Sequence, residues 1–91
     1  MREAFVCINA SPGSVETVLT KLNACKEVKQ AFRVYGPYDI IARVSGESIE
    51  DLSKIIDTRI KRLDEVRTIL SMLMIKPLDD FTWKSEPLTV K

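Results

Sequence analysis

Apolar residues along the chain fall into two rhythms, short near-continuous runs and longer stretches spaced by three and four, with Gly, Pro and Ser between them. Ala4 to Ala10 is almost continuously apolar and rich in strand formers, and Ser11-Pro12-Gly13 directly behind it signals a turn, so this is a first strand. Val15, Val18, Leu19 and Leu22 then recur at i, i+3, i+4 and i+7. That period predicts a helix to about Ala24, with Ser14 placed to cap it and Glu16 facing the positive end of its dipole. From Lys26 to Tyr35, apolar Val28, Phe32 and Val34 at even spacing predict a second strand, broken at Gly36-Pro37 because proline has no N–H to give a ladder. Tyr38 to Ser45 is a third strand. Gly46-Glu47-Ser48 opens a second helix on Ile49, Leu52, Ile56, Ile60 and Leu63, with Ser48 and Asp51 spaced as a variant capping box. Val66 to Lys76 is the fourth strand, stopped by Pro77.

The two halves match at a shift of 34 residues: Ser14 falls on Ser48, Val15 on Ile49, Glu16 on Glu50, Val18 on Leu52 and Leu22 on Ile56. One strand-helix-strand plan is used twice, and two copies are too few for a solenoid. The economical solution is an α+β, ferredoxin-like βαββαβ fold, in which right-handed crossovers put both helices on one face of a four-stranded antiparallel sheet. A sheet with one face in water alternates apolar with polar. Here the first strand is apolar on both parities, Ala4, Val6, Ile8 and Ala10 on one and Phe5 and Cys7 on the other. The fourth repeats this, with Ile69, Leu73 and Ile75 against Leu70, Met72 and Met74. Something covers the second face, and the simplest cover is a second copy, giving a homodimer packed sheet to sheet as a dimeric α+β barrel. The competing cover is the chain's own tail, Leu78 to Lys91, folded back through Phe81 and Trp83. Residues 1–77 are accordingly read as the folded domain and 78–91 as a C-terminal extension.

Length and composition narrow the chemistry. Ninety-one residues with 45% apolar and 30% charged side chains make one globular domain. Fourteen Lys and Arg against thirteen Asp and Glu leave a net charge of +1, which lacks the basic footprint of a nucleic-acid binder. With no histidine, the usual general base and the commonest metal ligand are both missing. Cys7 and Cys25 have no CxxC or Cys/His partner and read as small buried hydrophobes of a reducing, cytoplasmic compartment. The longest apolar stretch, Ile69 to Ile75, is far too short to span a bilayer, and no cleavage-site pattern follows the N-terminus. No cofactor is implied.

Few motifs carry chemistry. Gly13 before a helix lacks the further glycines of a phosphate loop and reads as a turn. Asp57, Asp64 and Glu65 sit among Arg59, Lys61, Arg62 and Arg67 as a solvated helix end of mixed charge, and Met72 and Met74 read as interface packing. Val34-Tyr35-Gly36-Pro37-Tyr38-Asp39 differs in kind. It is either a hairpin in which Tyr35 and Tyr38 pack locally and Asp39 bonds nearby amides, or a small-molecule site. As a site it offers a carboxylate to an ammonium group, turn amides to a carboxylate and aromatic walls to a side chain, a combination suited to an amino acid.

Over roughly residues 3 to 76 the tandem unit, with Val-Tyr-Gly-Pro-Tyr-Asp-Ile-Ile between its halves, resembles the effector-binding (RAM) domain of the Lrp/AsnC, or feast/famine, transcription regulators. The most specific element is the Gly-x-x-Asp turn, Gly36 to Asp39. The resemblance implies dimers assembling into octamers or decamers. It also implies amino acids bound at contacts between dimers, with Tyr35, Gly36, Pro37, Tyr38 and Asp39 contributing. Members often present two hydroxyl residues on the last strand; Ser71 matches one, and Ile69 stands at the other, which favours an apolar ligand side chain. The chain begins directly at the first strand and so is similar to stand-alone versions of the domain without a helix-turn-helix. Such a module would act through ligand-dependent assembly, and through mixed oligomers with a full-length regulator, without contacting DNA itself. Two other classes compete: a small dimeric α+β barrel enzyme on an apolar substrate, which lacks any evident nucleophile-base pair, and a purely structural oligomerisation domain.

Overall fold

A computed structural model describes residues 2–74. Strand β1 (Arg2–Ala10) lies inside a four-stranded sheet, with β3 (Ile40–Gly46) on one side and β4 (Val66–Leu73) on the other; β2 (Val28–Arg33) forms the far edge beside β3. All three pairings are antiparallel, in the order β2-β3-β1-β4. Helices α1 (Val15–Asn23) and α2 (Ile49–Ile55) lie between the strands in sequence, which is the ferredoxin-like order read from the chain. Both helices pack on the face of the sheet to which β1 turns its even-numbered residues.

Packing on that face explains the pattern. Ala4, Val6 and Ile8 of β1 have no exposed surface, and neither have Ile40, Ala42 and Val44 of β3. They meet Val18 and Leu22 of α1 and Leu52, Ile55, Ile56 and Ile60 beyond α2's start. The 34-residue correspondence is therefore spatial, since Val18 and Leu52 are both fully buried and Leu22 and Ile56 keep only 1% and 5% exposure. Each such side chain contributes about 1.5–3 kcal/mol by leaving water. Gly46 ends β3 where α2 crosses it; a Cβ there would stand 3.1 Å from both Leu52 Cγ and Asp51 Oδ2, so the helix sits close because glycine allows it.

Local structure departs from the sequence pattern in several places. Ser48 caps α2 as expected, its hydroxyl accepting from the Asp51 N–H at 3.1 Å, while the Asp51 carboxylate accepts from the Glu47 N–H at 2.8 Å. Ser14 occupies the matching position on α1 but makes no side-chain cap bond, because its backbone is not extended (φ −112°, ψ 5°). Its N–H instead closes a turn onto the Ser11 carbonyl at 2.9 Å. The second helix does not run as a regular α-helix to Leu63: α-helix gives way at Ile56–Ile60 to a π-helical turn, closed by Lys61 N–H to the Ile56 carbonyl at 2.9 Å. Strict spacing by four in Leu52, Ile56 and Ile60 would drift about 40° per step on an α-helix. The wider turn absorbs that drift and keeps all three buried.

The strands differ in extent and in parity. The second covers Val28–Arg33 where Lys26 to Tyr35 was expected, and the third starts at Ile40, two residues after Tyr38. Val28 opposes Val44 but Gln30 opposes Arg43, so Lys29 is an extra residue. Such a bulge reverses parity: Val28 is buried among the helices, whereas Phe32 pairs with Ile41 on the other face and is 48% exposed. The even spacing of Val28, Phe32 and Val34 therefore does not mark one face. Another shift in register leaves Arg67 extra on β4 opposite Asn9 and Ala10. Cys7 is buried as expected, but Cys25 is only half-buried. Ile75, Lys76 and the extension with Phe81 and Trp83 lie outside the described residues.

One polar tie fastens the segments before α1 and β4. Ser11 N–H donates to the Glu65 carbonyl at 2.8 Å, and the Lys21 ammonium stands 3.2 Å from the Glu65 carboxylate. The Glu65 backbone N–H and then Lys21 hold its pKa below the ordinary value, against a smaller opposing effect of burial. A carboxylate with a lowered folded pKa contributes stability that is present above its unfolded pKa and is lost as pH falls through the folded one. Melting temperature should therefore fall as pH drops below the ordinary 4.5 of glutamate, and Glu65→Gln should differ from wild type near neutrality but converge with it in acid, as a pH series of thermal melts would reveal. Leu52→Ala should cost about 2–5 kcal/mol in urea unfolding, since it empties a fully buried position between α2 and the sheet.

Candidate functional site

Two surfaces of this fold have chemistry to offer, the uncovered face of the sheet and the end of the β2–β3 hairpin. Register fixes what stands on the uncovered face. Leu70, Cys7, Ile41 and Phe32 form one row across all four strands, and Met72, Phe5, Arg43 and Gln30 form the next. Phe32, Leu70 and Met72 are each close to half exposed, at 48%, 47% and 47%, although all three are large and apolar. Arg43 interrupts this surface without leaving a bare charge, because its Nη1 donates to Glu3 Oε2 at 3.0 Å and the Ser45 hydroxyl donates to the same oxygen at 3.3 Å. Its Nε is buried with no partner among the described residues. A monomer would present water with a contiguous apolar patch of the sort that marks an interface.

The hairpin end is built from the backbone outward. Val34 N–H donates to the Asp39 carbonyl at 3.0 Å and closes the loop, while Gly36 holds φ +127°, a conformation that L side chains rarely adopt. Asp39 N–H donates to the Ile8 carbonyl at 2.9 Å, and its carboxylate Oδ2 accepts from the Ala10 N–H at 3.0 Å. The aspartate thus completes the β1 ladder at the point where β3 has not yet begun. The carboxylate thus bonds an amide 29 residues away in β1 and not one of its own turn, and its second oxygen has no hydrogen-bond partner among the described residues. Arg33, Val34, Tyr35, Gly36 and Asp39 line an open hollow of about 500 Å³. The Tyr35 ring projects fully into solvent and Tyr38 is half-buried.

Ser71 stands elsewhere within the chain. It pairs with Val6 and lines a separate hollow of about 290 Å³ with Ser53, Ile56, Asp57, Lys61 and Ile69, beside the π-helical turn. Tyr35, Gly36 and Asp39 meet at the hairpin hollow, Pro37 and Tyr38 are not among its lining residues, and β1 separates Ser71 from them. Arg33 lies at the hairpin hollow without having been singled out in the sequence. The signal available was its place one residue before Val34-Tyr35-Gly36, since the last residue of a strand leading into a turn stands at the turn's mouth. Its Nη1 is 2.7 Å from Glu16 Oε2 in the first turn of α1, both side chains being largely exposed. The described residues contain no cluster of three or more acidic or cysteine side chains suited to a metal.

Comparison with known proteins places the fold. The Lrp/AsnC ligand binding domain matches residues 3–83. The crystal structure of FFRP-DM1 superposes with a TM-score of 0.80 at 35% identity, over 82% of this chain and 100% of that one. E. coli AsnC superposes with a TM-score of 0.79 at 24% identity over 85% of this chain, which spans 52% of AsnC. A Neisseria meningitidis transcriptional regulator solved as its L-Met complex shares the fold, with a TM-score of 0.75 at 14% identity over 85% of this chain and 51% of that one. A comparison with curated proteins finds no match. By the family match over most of its length and by its similarity to FFRP-DM1, the chain belongs to the Lrp/AsnC ligand-binding-domain family.

Proposed function

We propose that this chain is a non-enzymatic, cytoplasmic amino-acid sensor whose ligand controls its assembly. The observation that carries the reading is the hairpin hollow, where a glycine-dependent turn, a partly free aspartate carboxylate and an arginine converge at the open end of the sheet. In a family of regulatory ligand-binding domains, that arrangement complements a molecule bearing both an ammonium and a carboxylate. The L-Met complex of the Neisseria relative is consistent with an amino acid in this fold.

Two copies pack sheet to sheet through the rows centred on Cys7 and Phe5, and four or five such dimers close into an octamer or decamer. The separation of Ser71 from Tyr35, Gly36, Pro37, Tyr38 and Asp39 within one chain supports a complete site at a contact between dimers, where Ser71 comes from a neighbour. A ligand held by two dimers binds only the associated state, so it stabilises assembly by mass action. Mixed oligomers with a full-length regulator then carry the signal to transcription. With a net charge of +1, these 91 residues act through protein contacts and not through phosphates.

Light scattering on a sizing column, with and without a pool of the common L-amino acids, tests the reading directly. A particle of several dimers that shifts with the pool is expected; a plain dimer indifferent to the pool would overturn it. Asp39→Asn keeps an acceptor for the Ala10 N–H while removing the charge, and should retain the melting temperature of the free protein but lose the response to amino acids. Leu70→Glu should yield monomers by the same column. Truncation after Pro77 should leave the dimer intact, whereas insolubility on truncation would assign the sheet's cover to the tail.

A further inference from the structure

We infer that Arg33 is the carboxylate anchor of the hairpin site, held ready by Glu16 and released to the ligand by exchange of one carboxylate for another. This rests on the reading of that site as an amino-acid site and goes beyond it by naming a specificity-determining residue. Of the side chains lining the hollow, Arg33 is the cation and Asp39 the anion. An anionic ligand would meet Asp39, and a simple amine would leave Arg33 unused; a zwitterion satisfies both.

The bonding on each side leaves capacity for it. Asp39 commits Oδ2 to the Ala10 N–H at 3.0 Å, which fixes the carboxylate against the end of β1 and leaves Oδ1 to accept from an ammonium. Arg33 commits Nη1 to Glu16 Oε2 at 2.7 Å, and among the described residues the remaining donors of its planar fork have no side-chain partner, which leaves them for a bidentate contact. The two residues are placed by the same hairpin: Arg33 opposes Ile40, and Val34 N–H bonds the Asp39 carbonyl, so both stand at its loop end.

Glu16 makes the exchange cheap. Its side chain is 70% exposed and that of Arg33 58%, and an ion pair so open to water adds little stability. Giving up Glu16 for a carboxylate inside the hollow therefore loses little. Released, Glu16 still faces the positive end of α1 from the helix's first turn. The pair keeps a flexible arginine near the hollow mouth when no ligand is there.

Pairing a protein variant with a ligand variant tests this. Thermal melting of the full chain is followed against each common L-amino acid, and for the strongest binder against its amino alcohol, in which a hydroxymethyl group replaces the carboxylate. Wild type should need about tenfold or more of the amino alcohol for the same shift, the loss of one charge-assisted contact. Arg33→Gln should bind acid and alcohol alike, Arg33→Lys should retain part of the preference, and Glu16→Gln should keep it with equal or tighter binding of the acid. Arg33→Gln with the wild-type preference intact overturns the inference. If Asp39→Asn has lost the response in that case, the amino-acid reading survives and only the role of Arg33 falls. Wild type that responds to no amino acid overturns both.

Discussion

A strand apolar on both faces cannot stand in water on either, and β1 is such a strand at the interior of the sheet. Its even positions, Ala4, Val6 and Ile8, are sealed under α1 and α2 without exposed surface. Its odd positions, Phe5 and Cys7, lie in the two rows that run across the whole sheet to Phe32, Leu70 and Met72. The first covering is intramolecular, completed by the two helices of the repeated unit. The second face leaves large apolar side chains at the surface among the described residues, a patch of the kind that marks an interface.

The end of β1 also organises the candidate site. Beyond Ile8 the strand continues to Ala10 while β3 has not started, so the Ala10 N–H lacks a ladder partner there. Asp39 fills that gap with its own carboxylate, and this fixes the hairpin end relative to the central strand. The carboxylate is thereby both a structural acceptor and a charged wall of the hollow. The core strand, the interface strand and the strand that orients the turn are one element. Strain or slippage in β1 would reach all three.

Arginine is used in two ways on this scaffold. Arg43 lies within the apolar rows, where its guanidinium donates to Glu3 in a half-buried ion pair and the Ser45 hydroxyl donates to the same carboxylate oxygen. Arg33 is at the hollow's mouth with an exposed partner that water screens. The same side chain thus stands in a half-buried ion pair in one place and in one open to water in the other.

The sequence by itself determined the order of elements, the doubled βαβ plan, the buried positions Val18, Leu22 and Leu52 of the helices though not Ile49, which is 45% exposed, the cap at Ser48 and the two-faced character of β1, because each depends on spacing within one short segment. It also marked Gly36 to Asp39 as a turn, since Gly36 takes a positive φ there that L side chains rarely adopt. Tertiary structure decided the rest. The bulge at Lys29 sent Phe32 to the open face, because parity is counted against a neighbouring strand. The π-helical turn kept Ile56 and Ile60 buried where an α-helix would have rotated them, because the sheet beneath sets the direction of burial. Ser14 lost its capping bond to a turn with Ser11, Asp39 found Ala10 across 29 residues, and Ser71 came to rest across β1 from the hairpin. Each of those outcomes depends on partners distant in sequence, which local spacing does not encode.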